Sequence, residues 1–117
     1  MTKEEMNKRT KMFALRIITL VESLPKGKIT DVIGRQLLRA GTSVGANYRA
    51  SCRGRSKADF ISKMGIVEEE ADESIYWMEL LVEGEIVEYA QLESLMKEAD
   101  EILAIIVSSI ITARKNR

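Results

Sequence analysis

The chain has 117 residues, 45% of them apolar and 31% charged, with 18 bases, 18 acids and no histidine. That length holds one domain with a real core, and the mixture suits a soluble helical protein rather than a disordered or fibrous one. Without histidine, Ser-His and Cys-His nucleophile pairs and any imidazole base are excluded.

A single proline (Pro25) and few aromatics favour helix over sheet. Thr2 followed by Glu5 reads as a capping box that opens a first helix over about residues 3–24. Met6, Phe13, Ile17, Leu20 and Leu24 then recur on one helical face until Pro25 and Gly27 stop it. Thr30 is the expected cap of a second helix, about 31–53, with Ile33, Leu37, Ala40 or Gly41, Val44 and Tyr48 inward. Gly54 breaks that pattern. Ser56 and Asp59 form a second box-like pair before a third helix, about 57–83, with Phe60, Met64, Val67, Ala71, Ser74 or Ile75, Met78 and Leu81 in register. Gly84 stands where a C-terminal cap belongs. A fourth helix, about 90–114, carries Leu92, Leu95, Ala99, Ile102, Ile106 and Ile110. Arg114, Lys115 and Arg117 stand at its end, where bases complement the helix dipole. Four helices joined by short turns predict an all-α, antiparallel up-down-up-down four-helix bundle spanning residues 1–117.

Helices three and four are apolar beyond one stripe. Ile66 and Trp77 on helix three, and Leu103 and Val107 on helix four, lie off the main face, which predicts self-association through these helices. The charged start MTKEEMNKRTKM is unlike a signal peptide, and the apolar stretch Ile102–Ile111 is too short to cross a membrane. One cysteine, Cys52, excludes an internal disulfide and suits a reducing cytoplasm.

Net neutrality conceals a charge reversal. From Arg35 to Lys57 the chain carries Arg35, Arg39, Arg49, Arg53, Arg55 and Lys57 and no acid; from Glu68 to Glu88 it carries nine acids and no base. Counting back from the turn near Gly54 sets Arg39 level with Glu69 or Glu70, and Arg35 level with Glu73, as inter-helix ion pairs. Arg49, Arg53, Arg55 and Lys57 are left at the turn with only Asp59 nearby. Repeated round an oligomer, they would make a basic surface for a phosphate backbone, with little base stacking.

Other chemistry is weakly supported. Cys52 beside Arg53 reads as a small packed residue rather than an activated thiol. Glu68, Glu69 and Glu70 point in different directions round a helix, and diiron bundles need a Glu-x-x-His that is absent, so no metal, cofactor or catalytic residue is expected. Gly41 and Gly45 lie four apart within a helical pattern and lack a phosphate-loop lysine, which favours close helix packing.

The segments LRAGTSVGANYRASCRGRSKADF (38–60) and GIVEEEADESIYWMEL (65–80) resemble the bacterial 23S rRNA intervening-sequence protein family. The resemblance covers helices two and three closely and the others by pattern. It implies a ring-forming bundle, typically a homopentamer, with no established catalytic activity. The family is similar to the accessory variability determinant of diversity-generating retroelements, which works with a reverse transcriptase and binds nucleic acid through a basic surface. Carried onto this chain, that implies RNA or DNA binding at Arg49, Arg53, Arg55 and Lys57. The alternative is an oligomeric scaffold whose segregated charges serve self-assembly or a protein partner.

Overall fold

A computed structural model describes residues 1–116. Arg117, grouped above with the basic end of the fourth helix, lies outside the described residues. Thr2 caps α1 (Lys3–Ser23): its hydroxyl accepts the Glu5 N–H at 3.1 Å, and its own N–H donates to the Glu5 carboxylate at 3.2 Å. Pro25 holds the preceding Leu24 in an extended conformation and so ends the helix.

The next helix starts earlier than its sequence suggests. α2 (Lys28–Ser51) begins after Gly27, whose carbonyl accepts the Asp31 N–H at 2.9 Å. Thr30 is not its cap; Thr30 is buried one turn inside it. The α2–α3 turn closes through Arg53 N–H to the Ala50 carbonyl at 3.1 Å and Gly54 N–H to that of Ser51 at 3.0 Å. A Cβ on Gly54 would lie 3.1 Å from both the Phe60 nitrogen and the Ser51 oxygen, so a side chain there would crowd the turn's backbone.

Ser56 caps α3 (Lys57–Glu83) by accepting the Asp59 N–H at 3.1 Å. Gly84 occupies the C-cap, but the left-handed residue is Glu85, at φ 60°. Ile86 N–H reaches the Leu81 carbonyl at 2.9 Å and Glu85 N–H that of Val82 at 3.0 Å, a Schellman closure with a side chain where glycine is usual. Gly84 is needed for space, because a Cβ there would meet the Leu80 carbonyl oxygen at 2.7 Å. α4 (Tyr89–Lys115) opens with Glu88 N–H donating to the Gln91 side chain at 3.3 Å.

The four helices run alternately up and down, in a body 49 Å long and about 20 Å across, with no strand among the described residues. None is long and apolar enough to cross a membrane. Phe13 and Ile17 (α1), Leu37 and Val44 (α2), Met64, Val67 and Met78 (α3), and Leu92, Ile102 and Ile106 (α4) form one continuous core. Buried hydroxyls stay inside helices by bonding the preceding turn: Thr10 to the Met6 carbonyl at 2.9 Å, and Ser74 to that of Glu70 at 2.8 Å.

α1 and α2 cross very closely. A Cβ on Gly41 would sit 2.7 Å from Cγ1 of Ile17, and one on Gly45 would sit 3.3 Å from the Thr10 backbone. Gly65 of α3, by contrast, has no atom within 4 Å of its missing Cβ. Gly41→Ala should therefore overpack the core and lower stability by about 1–3 kcal/mol. Gly65→Ala should raise it by up to about 1 kcal/mol through helix propensity alone. Urea unfolding of the two variants checks this, and equal shifts of the same sign would refute the close crossing.

Candidate nucleic-acid interface

The charge reversal becomes geometry at the α2–α3 seam. Arg39 sits between two glutamates one helical turn apart, Nη1 to Glu70 at 2.9 Å and Nη2 to Glu73 at 2.6 Å. The arginine draws the Glu73 carboxyl below the usual carboxylate range, with a second hydrogen bond from the Trp77 indole at 3.2 Å. Arg39 takes the Glu73 partnership that counting had given to Arg35. Arg35 and Glu69 are both exposed, and neither has an ion pair among the described residues.

A second bridge has no counterpart in the sequence reading. Arg9 of α1 grips Glu98 of α4 with two bonds of 2.7 Å and reaches Glu101 at 3.1 Å. These carboxylates raise the Arg9 pKa above its already high ordinary value. Arg16 adds a 2.9 Å bond to Ser94. Together they link the first and last helices, whose backbones approach each other less closely than those of the other three neighbouring pairs. Pairing the two chain ends by antiparallel counting would have found them.

The four leftover bases occupy the α2–α3 turn. Arg49, Arg53, Arg55 and Lys57 are all exposed, and none has a carboxylate within ion-pair distance among the described residues. The one acid at the turn is already engaged. Asp59 accepts the Arg55 backbone N–H at 3.0 Å and the Lys63 ammonium at 3.1 Å, in that order the main causes of its lowered pKa. Lys3 of α1 also lies over the Phe60 ring, 6.0 Å from its centroid.

The bases do not form one patch. Arg49 and Arg53 face α1 across a groove of about 520 Å³, whose opposite bank carries Lys8 and Lys11. Arg55 and Lys57 do not line it. The sequence reading missed Lys8 and Lys11 because they lie some forty positions from the turn; the sign was their three-residue spacing on α1, away from the core face. The groove is lined by four cations, no acid and no aromatic ring, with Cys52 on its wall.

The acids do not assemble into a metal site: among the described residues, no three carboxylates or thiols come together with that geometry. Of the apolar residues placed at an oligomer interface, Ile66 is exposed, while Trp77, Leu103 and Val107 are half-buried. Trp77 and Leu103 pack against the core, and Tyr76 and Ile111 are more exposed than either. Exposed apolar side chains also occur on α1 (Met12, Leu15) and α2 (Ile29, Val32), so they are not confined to helices three and four.

Because the Glu73 carboxyl is depressed in the folded state, its contribution is present above the unfolded pKa and lost as pH falls through the folded one. Arg39→Ala should cost no more than about 1 kcal/mol at neutral pH, since the arginine is largely solvated. That difference should shrink as pH falls from the ordinary carboxylate range through the lower folded value, as the carboxylate protonates. Paired urea titrations across pH 3–7 measure it, and a difference that grows on acidification would refute the pairing.

A protein-family model described as 23S rRNA-intervening sequence protein matches residues 2–108. A solved structure from Bacteroides thetaiotaomicron VPI-5482 is also similar; it is described as a protein with unknown function from the S23 ribosomal protein family. It superposes with a TM-score of 0.87 at 37% sequence identity, covering 94% of this chain and 98% of that one. No curated protein matches the chain. The core up to Ile106, the glycine crossing and the basic turn fall within the matched span, and this chain belongs to the 23S rRNA-intervening sequence protein family.

Proposed function

We propose that the protein is a non-catalytic accessory factor of the cytoplasm that binds RNA or DNA through the phosphate backbone. The observation that carries this reading is the set of four exposed, acid-free bases at the α2–α3 turn, where the sole nearby carboxylate is held by Arg55 N–H and Lys63. The family description, with its reference to ribosomal RNA, is compatible with such a role. Contacts of this kind position a backbone without reading its bases, so binding is weakly sequence-specific and strongly salt-dependent. In gel retardation, complexes with RNA or DNA should weaken steadily as salt rises. The triple variant Arg53→Glu, Arg55→Glu, Lys57→Glu should abolish them while helicity persists. Absence of binding at low salt would sink the proposal.

A second reading, a self-assembling scaffold, draws on the exposed apolar residues Ile66, Tyr76 and Ile111 of α3 and α4. In this reading the bundle assembles with copies of itself, as a ring of about five by the family resemblance. Light scattering should then give a mass several times that of the 13.2 kDa chain. A monomer at high concentration would refute assembly. Dissociation caused by the charge-reversal triple variant would favour the scaffold over the nucleic-acid role.

A further inference from the structure

We infer that the ligand is a single strand of nucleic acid whose phosphodiester backbone lies in the α1–α2 groove, between Lys8 and Lys11 on one bank and Arg49 and Arg53 on the other. This inference rests on the nucleic-acid reading above and narrows it to one site and one form of ligand.

Three observations carry it. The first is charge: both banks are cationic, Lys8 and Lys11 on one turn of α1 facing Arg49 at the end of α2 and Arg53 just beyond it, and no acid lines the space between them. The exposed turn bases Arg55 and Lys57 stand outside this groove and bring no opposing bank. The second is shape. Gly41 and Gly45 draw α1 and α2 together beneath the groove, and the small residues Ala14, Gly45 and Ala46 leave about 520 Å³ above that crossing. This is the size of a small-molecule site, typically about 300–1,000 Å³. A duplex receives one helix into a major groove about 12 Å wide. It does not descend between two helices whose axes are packed about 8–10 Å apart. A single strand is thin enough to lie in the cleft above that crossing. The third is the absence of an aromatic lining: Tyr48, the nearest aromatic residue of α2, is buried in the core. Bases therefore have nothing to stack on in the groove, so recognition there is by phosphate contact, without the stacking that single-strand sites usually add.

Four cations facing one single strand predict a slope of log affinity against log salt of about −3, from about 0.7 per neutralised phosphate. The test uses the full chain and fluorescence anisotropy with an oligo(U) of about 16 nucleotides, the upper end of single-strand site sizes, beside a hairpin duplex of similar charge. The single strand should bind at least about tenfold more tightly, and the Lys8→Ala, Lys11→Ala variant should reduce its slope to about −1.4. Ala46→Leu, which fills the groove without changing charge, should weaken the single strand about tenfold and leave the duplex unchanged. Ala46 is exposed, so this variant keeps the core intact. Bound oligo(U) should also slow alkylation of Cys52, the chain's only thiol. Duplex binding as tight as single-strand binding, or a salt slope indifferent to Lys8 and Lys11, would overturn the groove while leaving the turn as a nucleic-acid site. Failure of both ligands to bind at low salt would remove the broader reading as well.

Discussion

The close crossing of α1 and α2 is the constraint on which the other features of this bundle depend. Two glycines one turn apart, Gly41 and Gly45, remove the side chains that would hold the helices at ordinary spacing, so Ile17 and the Thr10 backbone move into the space. Dispersion contacts reward that approach atom by atom, and interiors close-packed like organic crystals tolerate no intermediate gap. With α1 pinned to α2, the core stripes of both helices face α3 and α4. The bridges from Arg9 and Arg16 then tie the outer edge of the first helix to the fourth. The same approach sets the outer edges of α1 and α2 side by side, which is why lysines near residue 10 and arginines near residue 50 share one groove.

The charges divide by what surrounds them. Arg39 lies along the seam between α2 and α3 and meets Glu70 and Glu73. Arg9 does the same between α1 and α4 with Glu98 and Glu101. Half-exposed pairs of this kind add little stability, and their value lies in fixing which helices are neighbours and in what register. At the end of the bundle the geometry changes. The chain reverses direction there, the neighbouring stretch of α1 brings lysines rather than acids, and the one available carboxylate is spent on the Arg55 backbone and Lys63. Positive charge accumulates there because nothing in the fold neutralises it. A neutral protein can in this way keep a local cationic surface.

Much of this was legible in the sequence. Period-3.6 stripes identified the buried face of every helix, because burying an apolar residue is worth far more than any local preference. The Thr2–Glu5 box was legible because capping is a contact over three residues. Signals that depend on space or distance were not. Thr30 is a residue type common at caps yet lies inside α2, which begins at Lys28 after Gly27 with no side-chain cap. Glu85 takes a left-handed conformation beside a glycine that does not, since Gly84 is required for clearance from the Leu80 carbonyl instead. Arg9, Lys8 and Lys11 were overlooked because their partners lie across the fold, about ninety or forty positions away, where no local pattern reaches. The equal count back from Gly54 came within one helical turn, which is why it found Arg39 and gave Glu73 to Arg35.

The central claim is that helix packing, rather than the turn sequence alone, builds the nucleic-acid surface, and amide chemical-shift mapping tests it most directly. On titration with oligo(U), the account predicts shifts concentrated on two stretches distant in sequence, around Lys8–Ala14 of α1 and Thr42–Arg53 of α2. The acidic face of α3 should stay unchanged. Shifts confined to the α2–α3 turn, or spread evenly over all four helices, would contradict it.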